Sequence, residues 1–199
     1  MNTIDYILNK FQVKGDTTPY IILENSSKFD FALLLNELGY KKGAEIGVET
    51  GGFSKILCDT IPGLKLTCVD PWEHIPGYRD HKSSVQDSNY EFTKKRLEPY
   101  KCKIIRALSM DAVKKVPDNS LDFVYIDANH DFRHCTDDIA EWSNKVRSGG
   151  IISGHDFAFF RTRGELIHTK HVVIAWTEAY VINPWFVFDH HKIWFWVKK

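Results

Sequence analysis

The chain lacks several features that would each point to a function class. It has 199 residues and no apolar run approaching the roughly 20 residues that a membrane-spanning helix needs. It has no net charge, with 26 Lys+Arg against 26 Asp+Glu, so it lacks the basic excess of a general nucleic-acid binder. Its four cysteines, Cys58, Cys68, Cys102 and Cys135, include no Cys-x-x-Cys pair. That argues against a zinc or disulfide framework and leads us to expect free thiols in a reducing cytoplasm. The first residues, Met1-Asn2-Thr3-Ile4-Asp5, show no basic segment leading into an apolar one, so no secretory leader is expected. There is no Gly-Lys-Ser/Thr, hence no P-loop, and no Asn-Pro-Pro-Tyr of the kind used in base flipping.

What is present is a globular composition. Hydrophobic residues make up 43% and charged residues 26%, which suits one domain over residues 1–199. Strand and helix signals alternate after residue 42, which predicts an α/β fold with a doubly wound, mostly parallel sheet. Residues 1–41 read as a helical cap before that core. Ile4, Ile7, Leu8 and Phe11 fall at helical spacing, Thr17-Thr18-Pro19 breaks the chain, and a second helix covers Ser27 to Tyr40. This second helix either covers the sheet edge or closes over substrate.

The stretch Gly43 to Ser54, Gly-Ala-Glu-Ile-Gly-Val-Glu-Thr-Gly-Gly-Phe-Ser, reads as a buried strand, a tight glycine turn and a helix start. Such a corner handles nucleotides in α/β sheets. Two carboxylates argue against a dinucleotide. Counting from Gly47, the middle glycine of Gly-x-Gly-x-x-Gly is replaced by Glu49, and Glu45 sits just before the turn. A carboxylate about 4 Å from a phosphate costs roughly 4 kcal/mol at a surface-like dielectric. A cofactor with a sulfonium, an ammonium and no phosphate fits instead, namely S-adenosylmethionine.

Later strands are expected at 65–69, 103–106, 121–126 and 151–154, each ending in polar residues. Asp70 ends the second strand about twenty residues after the glycines, where ribose hydroxyls are gripped. Trp72 lies either against adenine or in the core. Ser109 meets the adenine edge or serves as an N-cap. Asp127 and Asp156 close neighbouring strands, which lie about 5 Å apart, so the two can share a cation or polarise one substrate group. His130 and His155 stand beside them. Loops 74–84 and 157–165 follow strand ends, where ligands are held. The charged face of a helix at Asn89 to Tyr100 reads as solvated surface, as do His168 and His171. The chain closes in an aromatic hairpin, Trp185–Phe188 and Ile193–Val197, with an antiparallel last strand and His190-His191 in its turn. That hairpin is a candidate packing surface for a homo-oligomer.

Four blocks resemble class I S-adenosylmethionine-dependent methyltransferases of the small-molecule O-methyltransferase branch: Ala44–Ser54, Val69–Trp72, Ile126–His130 and Gly149–Asp156. The resemblance implies a Rossmann-like sheet of seven strands with the last antiparallel. It implies that Glu45, Gly47, Thr50, Gly51 and Ser54 line the methionine end, that Asp70 takes the ribose, that Trp72 and Ser109 lie near adenine, and that Asp127 also belongs to the cofactor site. Relatives of this branch often bind Mg²⁺ through acidic residues matching Asp127 and Asp156. Catechol-type relatives add a third ligand as Asp-Asn or Asp-Asp. Here His155 precedes Asp156 and Phe157 follows it, leaving either no metal or an ion tolerant of imidazole. The acceptor is then expected to be a small molecule or saccharide. Because imidazole titrates near neutrality, His130 is the candidate general base and His155 the runner-up, the alternative for His130 being a loop histidine that caps the following helix. Membrane and nucleic-acid partners are not expected. The competing readings are an adenosylmethionine-binding module without turnover and an NAD-type oxidoreductase.

Overall fold

The computed structural model describes residues 2–13, 20–75, 83–100, 102–162 and 165–199. The break read at Thr17-Thr18-Pro19, most of the 74–84 loop and the centre of the 157–165 loop lie outside the described residues.

The core alternates strand and helix as the sequence pattern requires. Strands β2 (Lys42–Ile46), β3 (Lys65–Asp70), β4 (Lys103–Arg106), β5 (Leu121–Ile126) and β6 (Val146–Gly154) are connected through helices α3 (Gly52–Thr60), α4 (Ser83–Leu97), α5 (Ser109–Ala112) and α6 (Phe132–Lys145). Each neighbouring pair among these strands is parallel. β5 is apolar along almost its whole length because it lies between β2 and β6 with both faces covered.

The sheet has eight strands, not seven. Its order is β1-β9-β10-β6-β5-β2-β3-β4, where β1 is Ile21–Leu23, β9 is Trp185–Phe188 and β10 is Ile193–Val197. The N-terminal stretch is therefore not wholly helical, since β1 pairs in parallel with β9 at the sheet edge. Three residues are too few for a period-2 pattern to show. β10 runs antiparallel to both β6 and β9, as the hairpin reading predicts. A small separate ribbon pairs β7 (Phe160–Thr162) with β8 (Glu165–Ile167).

Two apolar layers cover the sheet. Helices α1 (Thr3–Lys10), α2 (Lys28–Glu37) and α3 pack on one face, and α5, α6 and α7 (Thr169–Ala179) pack on the other. The apolar stripe of α2 is core, and it covers the interior of the sheet and not its edge. Phe31 is fully buried, with its ring 5.5 Å from Phe195 and 6.0 Å from both Tyr125 and Phe188. At the start of α2, the backbone N–H of Ser27 donates to Asp30 at 2.8 Å.

The hairpin aromatics are buried inside this sheet, so they offer no packing surface to another chain. This corrects the reading of the hairpin alone: its strands lie between β1 and β6, and their side chains fill both layers. Among the described residues, no helix is long and apolar enough to cross a membrane.

Candidate functional site

The strand order reverses between β2 and β5, and such a switch point opens a crevice at the carboxyl ends of parallel strands. The glycine turn leaves β2 at this crevice. Gly47 has φ +88°, and a Cβ there would lie 2.0 Å from the Asp127 carbonyl oxygen. Glycine is thus required by the close passage of the β5 exit, not only by a ligand. The Asp127 N–H donates to the Ile46 carbonyl at 2.7 Å, tying the two strand ends together.

Asp70 clasps the turn. Its Oδ2 accepts the N–H groups of Val48 and Glu49 at 3.0 and 2.9 Å, and its Oδ1 accepts that of Trp72 at 2.8 Å. The clasp helps to hold Glu49 at φ +51°, a conformation unfavourable for a side chain with a Cβ. The carboxylate is 4% exposed, and Oδ1 keeps a free lone pair. The Trp72 indole N–H and the Thr93 hydroxyl both donate to the Glu49 carbonyl, at 2.7 and 2.9 Å. Arg96 donates to the Thr50 carbonyl at 2.9 Å.

This geometry places three of the features read from the sequence. Trp72 is wholly buried, with its ring 5.1 Å from Tyr90, so it is a core tryptophan and offers adenine no exposed face. The α4 face is not merely solvated, because Thr93 and Arg96 hold the turn from outside it. Only their three-residue spacing on one helix could have hinted at this. The Ser109 hydroxyl is also occupied. It donates to the buried Asp138 and accepts from the Trp142 indole at 2.8 Å, so its reach toward adenine is taken up internally.

Glu45 is 2% exposed and accepts a hydrogen bond from the Ser54 hydroxyl. Burial pushes its carboxyl from 4.5 up to about 8, against the pull of the Ser54 bond. Ser54 is itself fully buried, so its immediate partner is Glu45. Gly51, at φ +71°, is the N-cap of α3.

The ends of β5 and β6, tied by the backbone N–H of His155 donating to the Ile126 carbonyl at 3.0 Å, bring four polar side chains together. His130 Nε2 lies 3.4 Å from Asp127 Oδ1 and 3.7 Å from Asp156 Oδ2. His155 Nδ1 lies 3.0 Å from Asp156 Oδ1 and 3.6 Å from Asp127 Oδ1. Among the described residues, the cationic partners within ion-pair distance of these two carboxylates are the two imidazoles. His130 Nε2 is buried and has no hydrogen-bond partner. The donor atoms of Asp127, His130 and Asp156 all lie within 4.8 Å of one another, a spacing that could hold one cation.

Electrostatics follow from this packing. Burial pulls both imidazoles down, yet the facing carboxylates outweigh it and hold His130 and His155 above the ordinary histidine value. The His155 hydrogen bond lowers the Asp156 carboxyl. The site therefore concentrates carboxylates around a crevice with no lysine or arginine paired to Asp127 or Asp156 among the described residues. This suits a cationic ligand and repels a phosphate.

Comparisons with known proteins bear on the family and the fold. Residues 44–157 match the sequence profile of a family described as "Methyltransferase domain". A protein of Dictyostelium discoideum named "Probable caffeoyl-CoA O-methyltransferase 3" is 27% identical, over 77% of this chain and 59% of its own length. The chain thus spans about three fifths of that curated relative. Among solved structures, the O-methyltransferase from Bacillus cereus in complex with SAH superposes with TM-score 0.60 at 15% identity, covering 98% of this chain and 90% of its own. A precorrin-6y C5,15-methyltransferase from Geobacter metallireducens gives TM-score 0.59 at 13% identity, covering 86% and 87%. At such identities these superpositions establish the fold alone.

Proposed function

Because the chain belongs to the methyltransferase-domain family, we propose that it moves a methyl group from S-adenosylmethionine to a hydroxyl oxygen of a small molecule. The observation that carries this reading is the crevice of carboxylates, Glu45, Asp70, Asp127 and Asp156, at the switch point of the sheet. The Dictyostelium relative, named as an O-methyltransferase, supports oxygen as the acceptor atom.

The residues present fit the cofactor. A buried neutral Glu45 can ionise when an ammonium arrives, and Oδ1 of Asp70 keeps a lone pair for a ribose hydroxyl. S-adenosylmethionine would supply an electrophilic methyl on a sulfonium. The protein's part is mostly to align donor and acceptor, which lowers the barrier by removing orientational freedom beforehand. As the acceptor oxygen gains the methyl it loses its proton, and an imidazole takes that proton.

Two histidines share the chemistry at the acceptor side. The partnerless, inward Nε2 of His130 fits a cation ligand, with Asp127 and Asp156 as the other two. One imidazole beside two carboxylates favours a transition ion such as Mn²⁺, Fe²⁺ or Zn²⁺ over Mg²⁺. Such an ion would lower the pKa of a bound hydroxyl. His155, more exposed than His130, is then the proton acceptor. Without an ion, His130 takes that role.

Isothermal titration with S-adenosylhomocysteine tests the reading, run with and without Mn²⁺. Micromolar binding, followed by transfer of labelled methyl to a hydroxyl acceptor, is the expected result. No binding under either condition would sink methyl transfer and leave a binding module of another kind.

A further inference from the structure

A hollow of about 500 Å³, within the range of small-molecule sites, is lined by the segment that follows Asp156 in the chain, Phe157 to Phe159. It adjoins the exit of β6. Phe157 immediately follows Asp156, lines this hollow, and donates its N–H to the Lys192 carbonyl at 2.9 Å. One wall is aromatic. Tyr20 and Phe157 meet edge to face at 5.1 Å, and Phe159, 50% exposed, packs its ring 4.1 Å from that of His171. That wall continues toward the reacting corner through His168, whose ring is 5.5 Å from Phe159 and whose backbone N–H donates to the His130 carbonyl at 2.9 Å.

The rim is cationic. Lys170 and Lys192 both line the hollow, and among the described residues neither ammonium has an ion-pair or hydrogen-bond partner. Lys170 Nζ stands 5.7 Å from the Phe157 ring centroid. The carboxylate in the lining, Asp189, is already engaged: it accepts the N–H groups of Asn25 and Ser26 at 3.0 Å and of His190 at 2.8 Å. Its charge is directed into the β1–β9 edge, while the two ammonium groups are left without an anion.

We propose that this hollow seats the methyl acceptor and selects one with a flat apolar body and an anionic group, a carboxylate or a phosphate. The apolar body lies along Phe157 and Phe159, the anion meets Lys170 and Lys192, and the hydroxyl reaches toward Asp156. The identity of the reacting atom rests on the methyl-transfer reading, whereas recognition of the anion does not.

The test compares protocatechuate with catechol, which differ by one carboxylate, and phenyl phosphate with phenol. Binding is measured by titration calorimetry on the wild type and on the double variant Lys170→Met, Lys192→Met. S-adenosylhomocysteine is titrated in parallel. Two partly exposed ion pairs predict that at least one acid binds about tenfold tighter than its neutral counterpart. The double variant should lose that preference while binding S-adenosylhomocysteine as the wild type does. Which acid shows the preference identifies the anion. Equal binding of acid and neutral partner in both pairs, no binding of any probe, or a preference that survives in the double variant would each overturn the proposal. A preference that disappears in the double variant, in a protein that never binds S-adenosylhomocysteine, would support the anion site and overturn methyl transfer instead.

Discussion

Glu45 should make the protein less stable as pH rises through neutrality, and Glu45→Gln should remove that dependence. The carboxyl is 2% exposed, and burial lifts it from 4.5 to about 8. At about 1.4 kcal/mol per pKa unit, that difference amounts to about 5 kcal/mol. The direction follows from linkage. Below about pH 4.5 the group is protonated in both folded and unfolded chains. Between 4.5 and 8 the unfolded chain releases the proton and the folded chain keeps it, so this contribution to stability is progressively lost as pH rises. Glutamine keeps a neutral polar head beside Ser54 and does not titrate. The assay is urea unfolding followed by tryptophan fluorescence from pH 5 to 9, on wild type and variant. The histidines and other titrating groups are common to both proteins and largely cancel in the difference. The expected result is a wild-type stability that falls by a few kcal/mol relative to Glu45→Gln across this range. Parallel curves would refute the reasoning and mean that Glu45 is ionised within the fold. The same neutral carboxyl predicts proton release when S-adenosylhomocysteine brings its ammonium at pH 7, seen as a binding enthalpy that varies with the buffer's ionisation enthalpy.

Other consequences can be checked separately. Asp122 accepts the N–H groups of Lys41 and Lys42 at 2.7 and 2.8 Å and pairs with Arg147 at 2.8 Å. Asp122→Ala should cost about 2 kcal/mol in urea unfolding at pH 7. Burial raises the Asp122 carboxyl, but these donors hold it below the ordinary value. The wild-type advantage should therefore fade as pH drops through the carboxylate range, and an advantage unchanged at pH 2 to 3 would contradict the structure. Arg96→Ala frees the Thr50 carbonyl and should weaken S-adenosylhomocysteine binding severalfold with under about 1 kcal/mol lost in stability; equal affinity would show that the turn holds without it. Cys58 and Cys102 place their sulfurs 3.5 Å apart. Diamide, which takes two hydrogens from a thiol pair, should join them, and peptide mapping would find a Cys58–Cys102 link absent from Cys102→Ser.

The sequence made the parallel core legible because its strands are short apolar runs ending in polar residues, with glycine turns and helical spacing between them. Gly43 to Ser54 and the endings at Asp70, Asp127 and Asp156 could be located in this way, since local chemistry marks a strand exit. The edge strand Ile21–Leu23 could not be. Three apolar residues carry no periodicity, and their pairing with Trp185–Phe188 is a contact across more than 160 positions. The burial of the aromatic hairpin was equally hidden, because a hydrophobic run looks the same whether it meets its own helices or another chain.

By itself, the sequence determined the fold class, the position of the glycine corner and the set of carboxylates that disfavours phosphate. Residue type and local spacing are sufficient for these. Only the tertiary structure decided what each side chain does there. It turned Asp70 and Trp72 inward to hold the turn, brought Thr93 and Arg96 to the same task, and buried Glu45 so that its proton stays on at neutral pH. It also set His130 between two carboxylates and gathered Lys170 and Lys192 around one hollow. Hydrogen-bond partners, burial and charge environment depend on which distant segments meet, and packing fixes that.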